Sequence, residues 1–257
     1  MFQYIARDFK NALHRRYTYA YVIGIFALCL IANISVVAFR MVYGTNEGTY
    51  AYNILNYTTW CFVVPYYSCM FIADMGFGKV YPNPQIKDKI TKDMSRTAIY
   101  FSKLIAELLL ALFFMVIAFV LLIGITTVFH FADGTVNVYD IKDFISKMEI
   151  AIPLWIAGIC FGNMFLFIYE DKKKAYAGYY ILTLLFPRLI MALAAEPMSL
   201  APFKFLRRFL ISQGFALLPY PADPERNVTL IVTTAIIYAV IACIIGVSVY
   251  RKKTVKY

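Results

Sequence analysis

The sequence predicts an all-α integral membrane protein, and its composition, its apolar runs and the placement of its charges lead to that class. Hydrophobic residues make up 61% of the 257, charged residues 16%, and the mean hydropathy is +0.66. A soluble domain has roughly 45–50% apolar and about 25% charged residues, so this chain is predicted to lie in a lipid bilayer.

The net charge of +10 raises the question of a nucleic-acid partner. The basic residues lie in short clusters between apolar runs, without the basic stripe and stacking aromatics of a nucleic-acid surface. We therefore interpret the clusters as membrane topology signals and expect no nucleic acid as a partner.

Residues 1–16 are predicted to form an interfacial helix with one apolar and one polar face. The apolar face carries Phe2, Ile5, Phe9 and Leu13, and the polar face carries Arg7, Lys10, Asn11 and His14. A signal peptide is the competing interpretation. It is disfavoured because the following apolar run is too long and no small-residue cleavage site follows it.

Six apolar runs of 19 to 26 residues follow within a single transmembrane domain, 1–257. Their bounds are 17–39, 57–75, 104–129, 150–169, 175–195 and 228–250. A spanning helix needs about 20 residues, so each run is predicted to cross the membrane, and the third is long enough to tilt. Pro65 predicts a bend in the second span.

The distribution of Lys and Arg predicts the orientation. The N-terminus, the loop 78–103, the short loop 170–174 and the tail 251–257 together hold 17, and the opposite side holds seven. Because positive charge accumulates in cytoplasmic loops, both termini are predicted to be cytoplasmic.

Two segments on the other side are predicted to carry some structure of their own. Residues 130–149 are expected to be a plain loop with at most one helical turn. The outer insertion 196–227 is predicted to hold one short amphipathic helix from Pro202 to Gly214, which have the proline-start and glycine-end pattern of a helix. Its basic residues, Lys204, Arg207 and Arg208, are expected to face lipid headgroups.

The coupling loop, 76–103, is the longest polar segment of the chain. Asn83 and Pro84 suit the start of a helix, in which Ile86, Ile90 and Met94 recur every four residues. Such a stripe can lie on the membrane or insert into a groove on a partner protein, and periodicity alone does not decide between them.

The residues that follow carry a family resemblance. The matching positions are Lys89 and Ile90, then Arg96, Tyr100, Ser102 and Lys103, directly before the third span. Together with the interfacial helix, the six spans, the helical insertion before the sixth span and the basic tail, they resemble type-2 ABC exporter permeases.

The resemblance implies a function and a set of partners. The loop would be a coupling helix that docks on a separate ABC ATPase through Ile86, Lys89, Ile90, Met94 and Arg96. That partner would bind ATP and Mg²⁺, and two permease copies would associate, as a homodimer or a heterodimer, in the bacterial cytoplasmic membrane. The substrate would be amphipathic or hydrophobic, as in exporters of bacteriocins or phenol-soluble modulins.

The sequence predicts no nucleotide, metal or catalytic site in this chain itself. The segment 76–80 (GFGKV) lacks the early glycine and the final hydroxyl of a phosphate loop, where Ala73 and Val80 stand. Its two histidines, His14 and His130, are far apart and form no HExxH motif. The five cysteines lie in apolar runs and are interpreted as packing residues. A permease subunit, not an enzyme, is expected.

Charged residues inside a span are expected to be functional. Arg188 lies within the fifth span, and three interpretations stay open: it lines a transport path together with Pro65, forms a structural ion pair or backbone contact, or snorkels to the interface. Asp74, Glu107 and Glu149 lie near predicted span ends and are expected to be solvated. Gly158 and Gly162 form a GxxxG pattern that predicts close helix packing, within one protomer in preference to between two.

Two other function classes remain as alternatives. A stand-alone secondary transporter would show an intramembrane acid, or inverted repeats with broken helices. A membrane-embedded enzyme would need an assembled acid–base pair.

Overall fold

The fold is built from helices, in a computed structural model that describes residues 2–44, 51–77, 95–130, 138–169 and 171–252. No strand occurs within these ranges. The α-helices are α1 (Phe2–Leu13), α2 (Arg16–Tyr43), α3 (Ala51–Trp60), α4 (Val63–Phe77), α5 (Arg96–Phe129), α6 (Val138–Ile168), α7 (Lys172–Tyr180), α8 (Phe186–Ala194), α9 (Ala201–Arg207), α10 (Ile211–Leu217) and α11 (Val228–Lys252). A five-residue π-helix, Ile181–Leu185, joins α7 to α8.

The described part of the chain has five helices long and apolar enough to cross a membrane, counting α7, the π-helix and α8 as one. The bent pair of α3 and α4 adds a sixth if it is taken as a single span. The chain is therefore all-α, with the helices of a multi-pass membrane protein.

Helix α6 lies at the centre of the bundle, where it packs most extensively against α11 and α4. Gly158 and Gly162 bring α6 close to α4. A Cβ atom at Gly158 would lie 2.8 Å from the Tyr66 ring, and one at Gly162 would lie 2.9 Å from the Ala73 Cβ. The glycines thus face a neighbouring helix of the same chain.

The second predicted span, 57–75, is not one continuous helix. Helices α3 and α4 meet at 59°, with the break between Trp60 and Val63. Pro65 lacks the N–H that would bind the carbonyl of Cys61, four residues earlier, so a break at this point follows from its chemistry. The Trp155 indole donates to the Phe62 carbonyl at 2.9 Å, which satisfies an acceptor exposed by the break.

The fifth predicted span, 175–195, begins at Lys172, ends at Ala194 and changes its hydrogen-bond pattern midway. Within the π-helix, the Phe186 N–H reaches the Ile181 carbonyl, five residues back. Pro187 follows directly and has no N–H for the Thr183 carbonyl, so the wider turn accommodates a proline that would clash with a regular α-helix.

The prediction of a plain loop over 130–149 is wrong, because α6 already begins at Val138. The helix extends past the apolar run on an amphipathic segment, in which Phe144 is buried and Asp143 pairs with Lys147 at 2.5 Å. Hydropathy alone identifies only the apolar part of such a helix. Helix α5 is another example, because it begins at Arg96 and is longer than its predicted span.

The single helix predicted in the outer insertion is also wrong. Two short helices, α9 and α10, replace it, and Gly214 lies inside α10. A Cβ at Gly214 would lie 3.1 Å from the Ile231 side chain. The glycine therefore permits close packing against α11 and does not end a helix.

Candidate functional site

The candidate site is the end of the bundle to which the coupling loop is attached. Four predicted coupling residues, Ile86, Lys89, Ile90 and Met94, lie outside the described residues. The described chain contains both attachment points, the end of α4 at Phe77 and the start of α5 at Arg96.

Arg96, the fifth predicted coupling residue, joins the start of α5 to the end of α11. Its Nη1 donates to the carbonyl oxygens of Tyr250 at 3.3 Å and of Arg251 at 2.9 Å. Arg251 Nε donates in return to Thr97 Oγ1 at 2.9 Å. A guanidinium on the last carbonyls of a helix satisfies acceptors that have no partner within the helix.

Aromatic packing strengthens this junction. The Phe167 ring of α6 lies 4.8 Å from Phe77, 4.8 Å from Tyr100 and 4.6 Å from Tyr250, measured between ring centroids. Four helices, α4, α5, α6 and α11, therefore meet at one ring, and the two attachment points of the loop belong to the same packed unit.

Helix α1 is docked on α5 by a buried ion pair. Lys103 Nζ lies 2.6 Å from Asp8 Oδ2, and both side chains are less than a tenth exposed. The same ammonium lies 5.3 Å from the centre of the Tyr4 ring. Burial, followed by the Asp8 charge, raises the pKa of the Tyr4 phenol.

The buried face of α1 overlaps the predicted apolar face in part, since Ile5 is buried and Phe9 and Leu13 are half-buried against the bundle. It is formed by Tyr4, Ile5, Asp8 and Ala12, whereas Phe2 is 82% exposed. The periodicity of apolar residues did not predict the burial of Asp8, because an acid is acceptable on such a face only with its buried partner.

Glu107 lies one helical turn after Lys103 and is completely buried. Neither of its carboxylate oxygens has a hydrogen-bond partner within the described chain, and its side chain lies against Gly76 of α4. The expectation of a solvated acid is therefore wrong for Glu107. Because α5 begins at Arg96, Glu107 is about 16 Å along the helix and not at its end.

Asp74 secures the other attachment point. Its carboxylate pairs with Lys172 Nζ and accepts a hydrogen bond from Tyr176 OH at 3.2 Å, while its carbonyl accepts one from Arg15 at 3.2 Å. The end of α4 is thus held by α7 and by the α1–α2 junction. We call Asp8, Asp74, Lys103, Glu107 and Lys172 the charged cluster.

Of the charged cluster, only Lys103 belonged to the family pattern. One signal for Glu107 existed in the sequence, since an acid four residues after Lys103 shares its helix face. The pairing of Asp8 with Lys103 and of Asp74 with Lys172 joins residues far apart in sequence, and no local pattern encodes it.

The residues predicted for a transport path lie at the surface of the chain. Arg188 of α8 and Pro65 of α4 are both exposed. Arg188 interacts electrostatically with Tyr67, two residues after Pro65. An exposed arginine in a spanning segment costs at least about 2.5–3.5 kcal/mol against lipid, so it needs water or a further partner. The other predicted interfacial acid, Glu149, is exposed.

Comparison with known proteins found no matching family and no curated relative. Both attachment points are tied to other helices of the bundle. Asp74 joins the end of α4 to α7, while Arg96 joins the start of α5 to α11 and Lys103 joins α5 to α1.

Proposed function

We propose that this chain is the membrane-spanning permease subunit of an ABC exporter. It would move an amphipathic or hydrophobic substrate, a peptide in the first instance, out of a bacterial cell with ATP hydrolysed by a separate subunit. The observation that supports the proposal is the double attachment of the coupling loop through the charged cluster and Arg96.

The proposed mechanism follows from the junction. A partner that pushes on residues 78–94 would act on two packed attachment points, so its motion would be passed to whole helices. Docked helices that shift as rigid units are a common way to switch access across a protein. The site for ATP and Mg²⁺ belongs to the partner, and this chain binds no cofactor.

The proposed assembly has two permease copies and two ATPase subunits in the bacterial cytoplasmic membrane, with both permease termini in the cytoplasm. A second copy would give Arg188 a protein or water environment in place of lipid. Its exposure on the isolated chain supports that placement.

Copurification tests the proposal. An ATPase subunit should copurify with the chain, and a cargo peptide should raise its turnover. Ile86→Ser and Ile90→Ser should reduce both effects while insertion into the membrane is unchanged. Lys204→Gln on α9, predicted to lie on the opposite side, is the matched control. Full partner binding and transport in the isoleucine variants would refute the coupling role.

A stand-alone secondary transporter is the second candidate, because Glu107 is a buried acid and the second span is broken. Both features are typical of ion-coupled transporters. Proteoliposomes that contain only this chain should then take up protons with substrate, and Glu107→Gln should abolish that uptake. An exporter subunit shows no uptake in the absence of its ATPase.

A further inference from the structure

A groove of about 510 Å³ runs along the surface of the bundle between α5 and α11. Phe101 of α5 forms one wall. Ala239, Cys243 and Val247 of α11 form one row, and Val240, Ile244 and Ser248 form the adjacent row. Almost all of the lining is apolar.

Both rows of α11 end in a basic residue. Arg251 follows Val247 by four positions and Lys252 follows Ser248 by four, so each continues one row on the same helix face. Both basic residues are exposed. The groove therefore has two positive charges at one end and apolar side chains along the rest of its length.

The length of the groove matches one leaflet of a bilayer. Ala239 to Arg251 is a rise of about 18 Å along a helix. Half of a hydrocarbon core of about 30 Å is about 15 Å. The basic pair is thus at the depth of the headgroups when the apolar rows are at the depth of the acyl chains.

We propose that this groove binds one anionic phospholipid, with an acyl chain along the two rows of α11 and its phosphate at Arg251 and Lys252. The combination of an apolar groove with aligned basic residues distinguishes it from the lipid contact expected on any spanning helix. The proposal does not depend on the exporter function.

Native mass spectrometry of the intact purified chain tests the site, with phosphatidylglycerol and phosphatidylcholine of identical acyl chains as probes. We expect the first phosphatidylglycerol to bind about 25-fold more tightly, because each of the two basic residues near the surface contributes about a fivefold preference. Lys252→Gln should lower its affinity about fivefold and leave phosphatidylcholine unchanged. Lys173→Gln, an exposed lysine outside the groove, is the matched control.

A second pair of variants tests the groove itself. Ile244 and Ile245 are both exposed, and only Ile244 lines the groove. Ile244→Trp should displace the bound phosphatidylglycerol, and Ile245→Trp should not. Equal binding of the two lipids, or equal effects of Lys252→Gln and Lys173→Gln, would overturn the proposal. The proposal would also be overturned if the Ile244→Trp variant kept its bound phosphatidylglycerol but no longer associated with a second copy of the chain, since the groove would then be a protein interface.

Discussion

Lys103 and Asp8 illustrate how single charges are accommodated in an apolar chain. Each is buried, and each is acceptable because the other lies 2.6 Å away. Removal of one partner from a buried pair typically costs about 3–5 kcal/mol, since the remaining charge is left without compensation. The pair therefore has a stability role that is distinct from any role in transport.

Asp8→Asn is expected to destabilise the chain strongly, because it leaves the Lys103 ammonium buried without its carboxylate. The double variant Asp8→Asn with Lys103→Met should be more stable than Asp8→Asn alone. Thermal unfolding of the purified protein in detergent, followed by circular dichroism, measures both. Strictly additive effects of the two substitutions would mean that the pair contributes nothing.

The contacts of individual residues were only partly predictable from the sequence. The family pattern picked out Arg96, whose contacts with the end of α11 are now described. Burial of Glu107 was not predictable from the apolar run, since the run began three residues earlier whereas the helix began at Arg96. Pairs such as Asp74 with Lys172 depend on tertiary structure, which periodicity does not contain.

Individual helices are positioned by close approaches and by side chains that satisfy broken backbone bonds. The contact of α6 with α4 is an example of the first, and the Trp155 bond to the Phe62 carbonyl is an example of the second.

Gly162→Ala should destabilise the bundle by about 1–3 kcal/mol, because the added methyl meets Ala73 and forces α6 away from α4. Gly124→Ala is the control, since nothing lies within 4 Å of a Cβ there. Midpoints of thermal unfolding compare the two variants. A larger effect at Gly124 would contradict the described packing.

Trp155→Phe should cost about 1–3 kcal/mol, because the Phe62 carbonyl at the break loses its donor while most of the aromatic packing remains. Trp60→Phe, at an exposed tryptophan, is the comparison. Equal midpoints of unfolding for the two variants would show that the indole bond does not support the break.

The all-α class was predictable from apolar run length, and the described chain has five spanning helices, or six if the bent pair of α3 and α4 is one span. Helix bounds were less predictable. Amphipathic extensions such as Val138–Glu149 are not apolar enough to be counted as span, yet they continue α6 by three turns. The break at Pro65 was expected from the missing N–H. The two-helix form of the insertion was not, because Gly214 serves packing and not termination.

The whole chain leaves much apolar surface open, on α2 above all, where most residues are exposed or half-buried. Lipid can cover this apolar surface without a free-energy cost, whereas contact of the charged Arg188 side chain with lipid is unfavourable. In the proposed assembly this side chain faces water or a second copy.

Arg188→Cys tests that environment in a background in which the five native cysteines are replaced by alanine. We expect a membrane-impermeant thiol reagent to modify it in intact cells. Ile181→Cys, at an exposed apolar position of the same span, should remain unmodified. Protection of both positions would place Arg188 in a dry contact and remove it from any aqueous path.

The π-helix of the fifth span has a consequence for how that span is aligned. A turn of five residues holds one residue more than the helix otherwise needs, and each residue rotates the helix by about 100°. Everything after Leu185 is therefore turned relative to α7. Deletion of one residue within 181–185 would present another side of Phe186–Ala194 to its surroundings. The direction in which Arg188 points around the helix axis therefore depends on how many residues the π-helix contains, and not only on which residues they are.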